Sequence, residues 1–263
     1  ILSIADFTHP VWFREAYSQL EELNEGIYKL KDEENVKKQL GIVSSFDHIG
    51  PYFMLSTEVS CIYSENGKVH RIHNLVLSPN FETALKINKE LIARGSNLSS
   101  DGRPILGLTS RQLAELVFGI DRKNVIIPCH IWTPWFSLYG SKSGYDRIAE
   151  CFGDYSKYIF AVETGLSSDP SMNWRINELS SRSIVSFSDA HSLEKMGREA
   201  TVLRLTDKKE AKIKEKDISY SNISIANVPR EDVKDRNGRP LRDQTISDLN
   251  YVDGSVMLSG LSN

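Results

Sequence analysis

The sequence predicts an α/β fold, with helices packed around a parallel sheet or barrel. Three observations predict it. Short apolar runs alternate with segments whose apolar residues recur at helical spacing. Several runs are apolar throughout, as strands covered on both faces are. The same runs end repeatedly in a histidine or a carboxylate, where α/β folds collect ligands. The clearest is Val125-Ile126-Ile127-Pro128-Cys129-His130, read as a buried parallel strand. Ile131-Trp132-Thr133-Pro134-Trp135 then forms a loop rich in proline and tryptophan.

Taken in order, Ile1 to Asp6 reads as a strand ending in a carboxylate. Thr8 or His9 closes the next loop, and Pro10 suits the first helical turn. Val11, Phe13, Ala16, Tyr17 and Leu20 mark that helix. Glu21 to Lys38 is charged and reads as an exposed helix or loop. Phe53 to Tyr63 and Val69 to Leu77 are rich in β-branched residues and flank Asn66-Gly67, so they form a hairpin or adjacent strands. A helix runs through Phe81, Leu85, Ile87 and Leu91 and ends before Gly95. Gly95 to Gly107 is a polar loop. Thr109 caps a helix through Leu113, Leu116 and Val117 that stops near Gly119. After the central strand come a short helix (Tyr145 to Phe152), a strand ending at Glu163 (from Tyr158), a weakly helical stretch (Trp174 to Leu179), a strand from Ser183 to Asp189, and a last strand from Ala200 to Leu205. Beyond it, Thr206 to Asp217 is a charge run and Arg230 to Gly254 is polar and turn-rich. The segment 206–263 therefore reads as a peripheral C-terminal extension.

The totals bound the function. With 263 residues, 40% hydrophobic and 25% charged, the chain has length for a large core. A net charge of -3 gives no global attraction to nucleic acid, so DNA binding needs a local basic patch or bound cations. Arg94, Arg103, Arg111, Arg122, Lys123, Lys142, Arg147 and Arg198 flank the strand ends and offer such a patch. Cys61, Cys129 and Cys151 are odd in number and widely spaced, which fits a reducing cytoplasm. No stretch is long and apolar enough for a membrane helix. No G-x-x-x-x-G-K-[ST] occurs, so ATP is not expected as a partner. Ile1 opens inside an apolar run, and a segment is expected ahead of it.

The strand-end groups are Asp6, His9, Glu58, His73, His130, Glu163, Asp189 and His191. In a barrel such ends converge on one rim. Asp189 and His191 are two apart, which in extended chain places both on one side. Mixed imidazoles and carboxylates suit zinc, manganese or iron better than calcium. A carboxylate such as Glu58 can bridge two metals about 3.5–4 Å apart, the arrangement that activates water and neutralises a phosphodiester's developing charge. Trp132, Trp135, Phe136 and Tyr139 either stack on bases or roof the barrel. Gly140-Ser141-Lys142-Ser143-Gly144 offers Lys142 and backbone amides to a phosphate.

At these residues a family resemblance becomes specific. Asp6-Phe7-Thr8-His9-Pro10, Thr57-Glu58-Val59-Ser60, His73-Asn74-Leu75, the run from Pro128 to Trp135, Glu163-Thr164-Gly165-Leu166-Ser167-Ser168-Asp169 and the run from Ser186 to Ser192 resemble the polymerase and histidinol phosphatase (PHP) superfamily, and more narrowly its endonuclease Q branch. The resemblance covers Ile1 to Leu205. It implies a distorted (β/α)7 PHP-type barrel, incomplete at the N-terminus, as a catalytic domain over 1–205. It implies up to three divalent ions (zinc, manganese or magnesium). Glu58 would bridge two of them, with His73 and His130 completing one site and Asp189 serving its neighbour. His9 and His191 would hold the third, with Asp6 a ligand or a support, and Glu163 supporting. Glu58, His130 and Asp189 would be catalytic, and Trp132, Trp135, Tyr139 and Lys142 would face DNA. The implied activity is hydrolysis on the 5′ side of deaminated bases or abasic sites in DNA repair. The superfamily's His-x-His motif on the first strand is absent, and its C-terminal region is not recognisable after Leu205. Two rival readings stand beside it: a small-molecule phosphoesterase of the histidinol phosphatase kind, and a non-catalytic remnant that binds DNA.

Overall fold

The computed structural model describes residues 1–4, 6–39, 41, 51–204, 218–226 and 255–258. In chain order the elements are β1 (Leu2–Ile4), α1 (Pro10–Gln19), β2 (Leu20–Asn24), β3 (Ile27–Leu30), α2 (Glu33–Gln39), β4 (Phe53–Glu65), β5 (Lys68–Ser78), α3 (Phe81–Ala93), β6 (Ile105–Leu106), α4 (Ser110–Ile120), β7 (Val125–Pro128), α5 (Ile148–Phe152), β8 (Ala161–Glu163), α6 (Pro170–Asn173), β9 (Ser183–Val185), β10 (Thr201–Arg204), α7 (Tyr220–Ala226) and β11 (Ser255–Leu258). The mixed α/β class is as the sequence predicts.

The long hairpin of β4 and β5 is the axis. Asn66 and Gly67 turn it with φ of 49° and 78°, the left-handed pair that a tight hairpin requires. Its ladder runs from Leu55↔Ser78 to Glu65↔Lys68. β7 continues the sheet antiparallel to β5, with Leu75 opposite Ile127. The parallel setting expected for this strand is therefore corrected: an apolar run reports burial of both faces, not the direction of the neighbour. On its other edge β4 carries β1 and β6, both parallel to it. The described strands form one mixed seven-stranded sheet and the pairs β8–β9 and β10–β11, so these ladders alone do not draw a closed ring.

Apolar layers cover both sheet faces. On one, Leu55, Val59, Cys61, Ile72 and Val76 meet Ile87 and Leu91 of α3, Leu113 and Val117 of α4, and Ile148 and Phe152 of α5. Asn80 caps α3, and Thr109 with Gln112 closes a capping box on α4. On the other, Met54, Leu77, Val125 and Ile127 meet Ala161, Val185, Leu203, Ile218, Tyr220 and Ile223. By alternation, Glu58 and His73 lie on this second face.

Three further expectations change. Glu21 to Lys38 contains the β2–β3 hairpin as well as α2, because β2 is an edge strand whose outer residues carry the charge. The polar loop before α4 contains β6. The segment Ile218–Ala226 is not peripheral: Tyr220 is buried, and its hydroxyl lies within hydrogen-bond reach of the carbonyls of Lys123 (2.9 Å) and Leu77 (3.1 Å). Ala5, His48, Leu205, the charge run 206–217 and the polar stretch 230–254 lie outside the described residues.

Candidate metal centre

Glu58 sits where the sheet leaves a gap. β1 pairs with β4 over Phe53–Leu55 and β6 pairs over Ser60–Cys61. Between them, among the described residues, the edge of β4 is closed by single backbone bonds, Phe7 N to Ser56 O and Ser60 N to Pro104 O, each 3.0 Å. Glu58 stands at this gap, its carboxylate buried on the second face of the sheet. His73 stands diagonally across the hairpin, since Ser60 is paired with His73 and Glu58 with Leu75. His130 arrives from the end of β7. Continued alternation would turn it to the opposite face, but its φ of 32° breaks the strand there and brings the ring to His73.

Three ligand atoms converge. His73 Nδ1 lies 2.8 Å from Glu58 Oε1 and 3.1 Å from His130 Nε2, and His130 Nε2 lies 3.6 Å from Glu58 Oε1. Bonds of the usual length around a tetrahedral zinc put ligand atoms about 3.4 Å apart. Two imidazoles and a carboxylate are also a donor set of catalytic zinc sites. The residues therefore fit a divalent cation, and they form a group whose ligand atoms all lie within 4.8 Å of one another.

The electrostatics agree. Burial opposes the Glu58 charge, yet the nearby imidazoles of His130 and His73 and the Arg103 guanidinium outweigh it and hold the carboxyl well below its usual range. Two facing imidazole nitrogens cannot both present lone pairs, and His73 Nδ1 at 2.8 Å from Glu58 Oε1 must carry a proton to meet the carboxylate. Burial lowers both imidazoles, but Glu58, Glu163 and Asp189 together raise His130 above its ordinary value, while His73 stays below.

Other residues hold the ligands in place. The single proton of Thr133 Oγ1 goes to a carbonyl, Trp135 at 2.8 Å or His130 at 3.1 Å, so the oxygen accepts from His130 Nδ1 at 3.1 Å and the Nε2 lone pair is left for a cation. Sequence reasoning passed over Thr133. Glu163 is buried and ties three loops: its Oε2 accepts from His130 N at 2.6 Å, and its Oε1 from Gly165 N and Phe187 N at 2.8 and 3.2 Å. Burial pushes its carboxyl up to about 7 against the pull of those N–H groups. Because partners of metal-binding histidines typically contribute 10–100-fold to metal affinity, Thr133→Val is expected to weaken divalent-metal binding by about that factor with little change in melting. Titration calorimetry with zinc or manganese checks it.

The remaining predicted residues are placed differently. Among the described residues, Asp6, His9, Asp189 and His191 join no group of three mutually close ligand atoms. His9 packs at a tilt against Trp12 (ring centroids 4.6 Å apart), and its Nδ1 has no hydrogen-bond partner among the described residues. Asp6 is buried where Gly102 passes. Asp189 has φ of 43°, so the chain is not extended there. The two side chains still approach each other, though not through extended chain: the half-exposed His191 has its Nδ1 3.9 Å from Asp189 Oδ1 and 3.0 Å from the Asp189 carbonyl. Among the described residues six non-glycine residues have positive φ, and Asp6, His130 and Asp189 are three of them. Such strain gathers at functional sites.

The aromatic loop divides. Trp132 Nε1 donates to Asn173 Oδ1 at 2.8 Å and its ring packs on Tyr139, whose hydroxyl donates to Glu178. Both belong to the packed roof rather than to an open surface, because each polar tip has an internal partner. Trp135 is 47% exposed, with the Arg71 guanidinium 5.0 Å from its ring centroid. Lys142 is exposed.

No protein-family profile matches the chain. An uncharacterised protein of Bacillus subtilis, YqxK, is 35% identical over 133 residues, 49% of this chain and 32% of that protein. The crystal structure of the lesion-specific endonuclease PfuEndoQ from Pyrococcus furiosus superposes with a TM-score of 0.62 at 24% identity, covering 85% of this chain and 46% of that one. A structure of endonuclease Q with a 27-mer duplex bearing an abasic lesion at the active site gives a TM-score of 0.57 at 28% identity, covering 73% and 40%. The chain spans less than half the length of each of these three proteins.

Proposed function

From a chain of endonuclease Q-like fold, we propose a metal-dependent DNA endonuclease of the lesion-repair type, cutting 5′ of deaminated bases or abasic sites. The observation that carries it is the buried convergence of Glu58, His73 and His130 at one gap in the sheet. Similarity to a structure solved on an abasic duplex supports the substrate class. When bound, a divalent cation supplies Lewis acidity to a phosphoryl oxygen and lowers the pKa of water. Glu58, His73 and His130 would hold it, and Thr133 and Glu163 would keep His130 aimed. Asp6, His9, Asp189 and His191 we assign to the rim, for up to two further ions of zinc, manganese or magnesium. The unsatisfied His9 Nδ1 supports this for His9. Trp135 is the aromatic free to stack on an extruded base, and exposed Lys142 can face the backbone. Among the described residues no helix is long and apolar enough to cross a membrane. All three cysteines are free and buried, which supports a reducing, cytoplasmic setting.

The test is direct. The chain is incubated with manganese and three substrates in parallel: an abasic duplex, a hypoxanthine duplex and a small phosphomonoester. Nicking confined to the lesion duplexes, and abolished by a chelator, is the expected outcome. Phosphate release from the monoester alone overturns it in favour of a small-molecule phosphoesterase.

A further inference from the structure

We propose that Arg103 is an anion-binding residue of this site, holding a non-bridging phosphate oxygen of the substrate beside the cation that Glu58, His73 and His130 would take. The inference rests on the metal-site reading above.

The position of Arg103 is fixed by the sheet. β6 pairs in parallel with β4 in the register Ser60↔Ile105. Carried back two residues, that register sets Arg103 beside Glu58. Pro104 holds the preceding residue in extended conformation. On the other side Gly102 is wedged: a Cβ there would lie 2.7 Å from the Asp6 carboxylate and 2.5 Å from the Trp12 ring. The side chain is therefore delivered to the gap from a short, constrained segment.

Its contact is not that of a structural ion pair. Among the described residues the guanidinium makes one hydrogen bond, a single contact of 3.4 Å from Nη1 to Glu58 Oε1. A guanidinium placed to neutralise a buried carboxylate typically reaches it with two bonds of about 2.7–2.9 Å. Arg103 also keeps 25% of its side chain exposed, whereas Glu58 keeps 4%. It is the more solvent-open of the two, with most of its planar fork unspent. Once Glu58 gives its charge to a metal, the guanidinium faces a second cation across a short, poorly screened distance. That arrangement repels unless an anion lies between them. A phosphate oxygen answers both charges, and the fork of donors matches phosphate geometry.

Two signs follow that a purely structural arginine would not produce. Without phosphate, Arg103→Ala should bind manganese as tightly as the parent or severalfold more tightly, because a competing positive charge is gone. With manganese present, the same variant should bind inorganic phosphate and a short abasic duplex at least tenfold more weakly. Arg103→Lys keeps the charge but loses the fork, and should lose at least threefold; it carries the test if the alanine variant does not fold. Calorimetry with manganese and then phosphate, and fluorescence anisotropy of the duplex, provide the readings on the full chain. Weaker manganese binding by Arg103→Ala with unchanged phosphate affinity would mean that the arginine only positions Glu58, and overturns the proposal. So does a parent chain that takes up manganese but no phosphate at millimolar concentration. If the parent binds phosphate through Arg103 but neither binds nor nicks DNA, the nuclease reading falls and the anion site stands.

Discussion

Gly165→Ala is expected to destabilise the protein by about 3 kcal/mol or more and to remove divalent-metal binding. Two effects add at this position. Gly165 has φ of +62°, and an L-residue in that region costs roughly 1–2 kcal/mol. A Cβ there would also sit 2.0 Å from the His130 Cβ and 2.3 Å from its Cα. Those are main-chain and stem atoms, so no flexible tip can swing aside. Either the loop after β8 lifts or His130 retreats from His73. Lifting the loop breaks the bond from Gly165 N to Glu163, and with it an anchor of the ligand loop. Gly67 and Gly95 provide the control. They share positive φ, at 78° and 86°, but a Cβ at either meets nothing within 4 Å. Alanine at those sites should cost only the backbone strain, about 1–2 kcal/mol, and leave metal binding intact. Urea denaturation and metal content of the purified variants measure both. If Gly165→Ala melted like the two controls and kept its metal, close packing under His130 would not be what shapes the site.

That glycine shows where sequence reasoning stops. The residues that can ligate a metal were legible, because Glu58, His73 and His130 each sit in or just after an apolar run. The β4–β5 hairpin was legible from Asn66-Gly67 and the β-branched flanks. What holds the ligands was not. Thr133 and Gly165 act through a bent backbone at His130, and no local pattern announces a left-handed histidine. The direction of β7 was lost for a related reason: burial on both faces erases the alternation that would report its surroundings. β6 spans two residues, too few for any period, and exists because β4 offers an open edge there. The charges of β2 hid a strand, since its exposed edge reads like a solvated helix. Trp132 and Tyr139 were legible as aromatics in a loop, but only their partners Asn173 and Glu178 show that they face inward.

Glu58→Gln should abolish the cation site while leaving a folded protein, with a pH signature in the metal-free state. The amide keeps the shape but is a far weaker metal ligand, and the two imidazoles alone lack charge. A loss of at least 100-fold in manganese or zinc affinity is expected, and nicking of a lesion duplex should fall by about 10³ or more, the scale at which electrostatic stabilisation of a transition state is removed. The stability effect depends on the proton held at His130. In the parent, His130 has a folded pKa above the ordinary 6.5, so its contribution is complete below pH 6.5 and is lost as pH rises through the folded value. Glu58 is shifted the other way and contributes above its ordinary 4.5, a term lost only as pH falls towards the folded value. At pH 6 the parent therefore benefits from both charges, and the glutamine variant strands a buried imidazolium. Unpairing a buried charge costs roughly 3–5 kcal/mol when it cannot neutralise. Here His130 can release its proton, so a smaller penalty is expected at pH 6, and it shrinks towards pH 9 as the parent imidazole loses its proton through its raised folded value. Urea denaturation in a chelator at both pH values reads the difference. A penalty equal at the two pH values would show that Glu58 stabilises the fold by packing alone, and the charge-coupled cluster from which the metal site is argued would lose its footing.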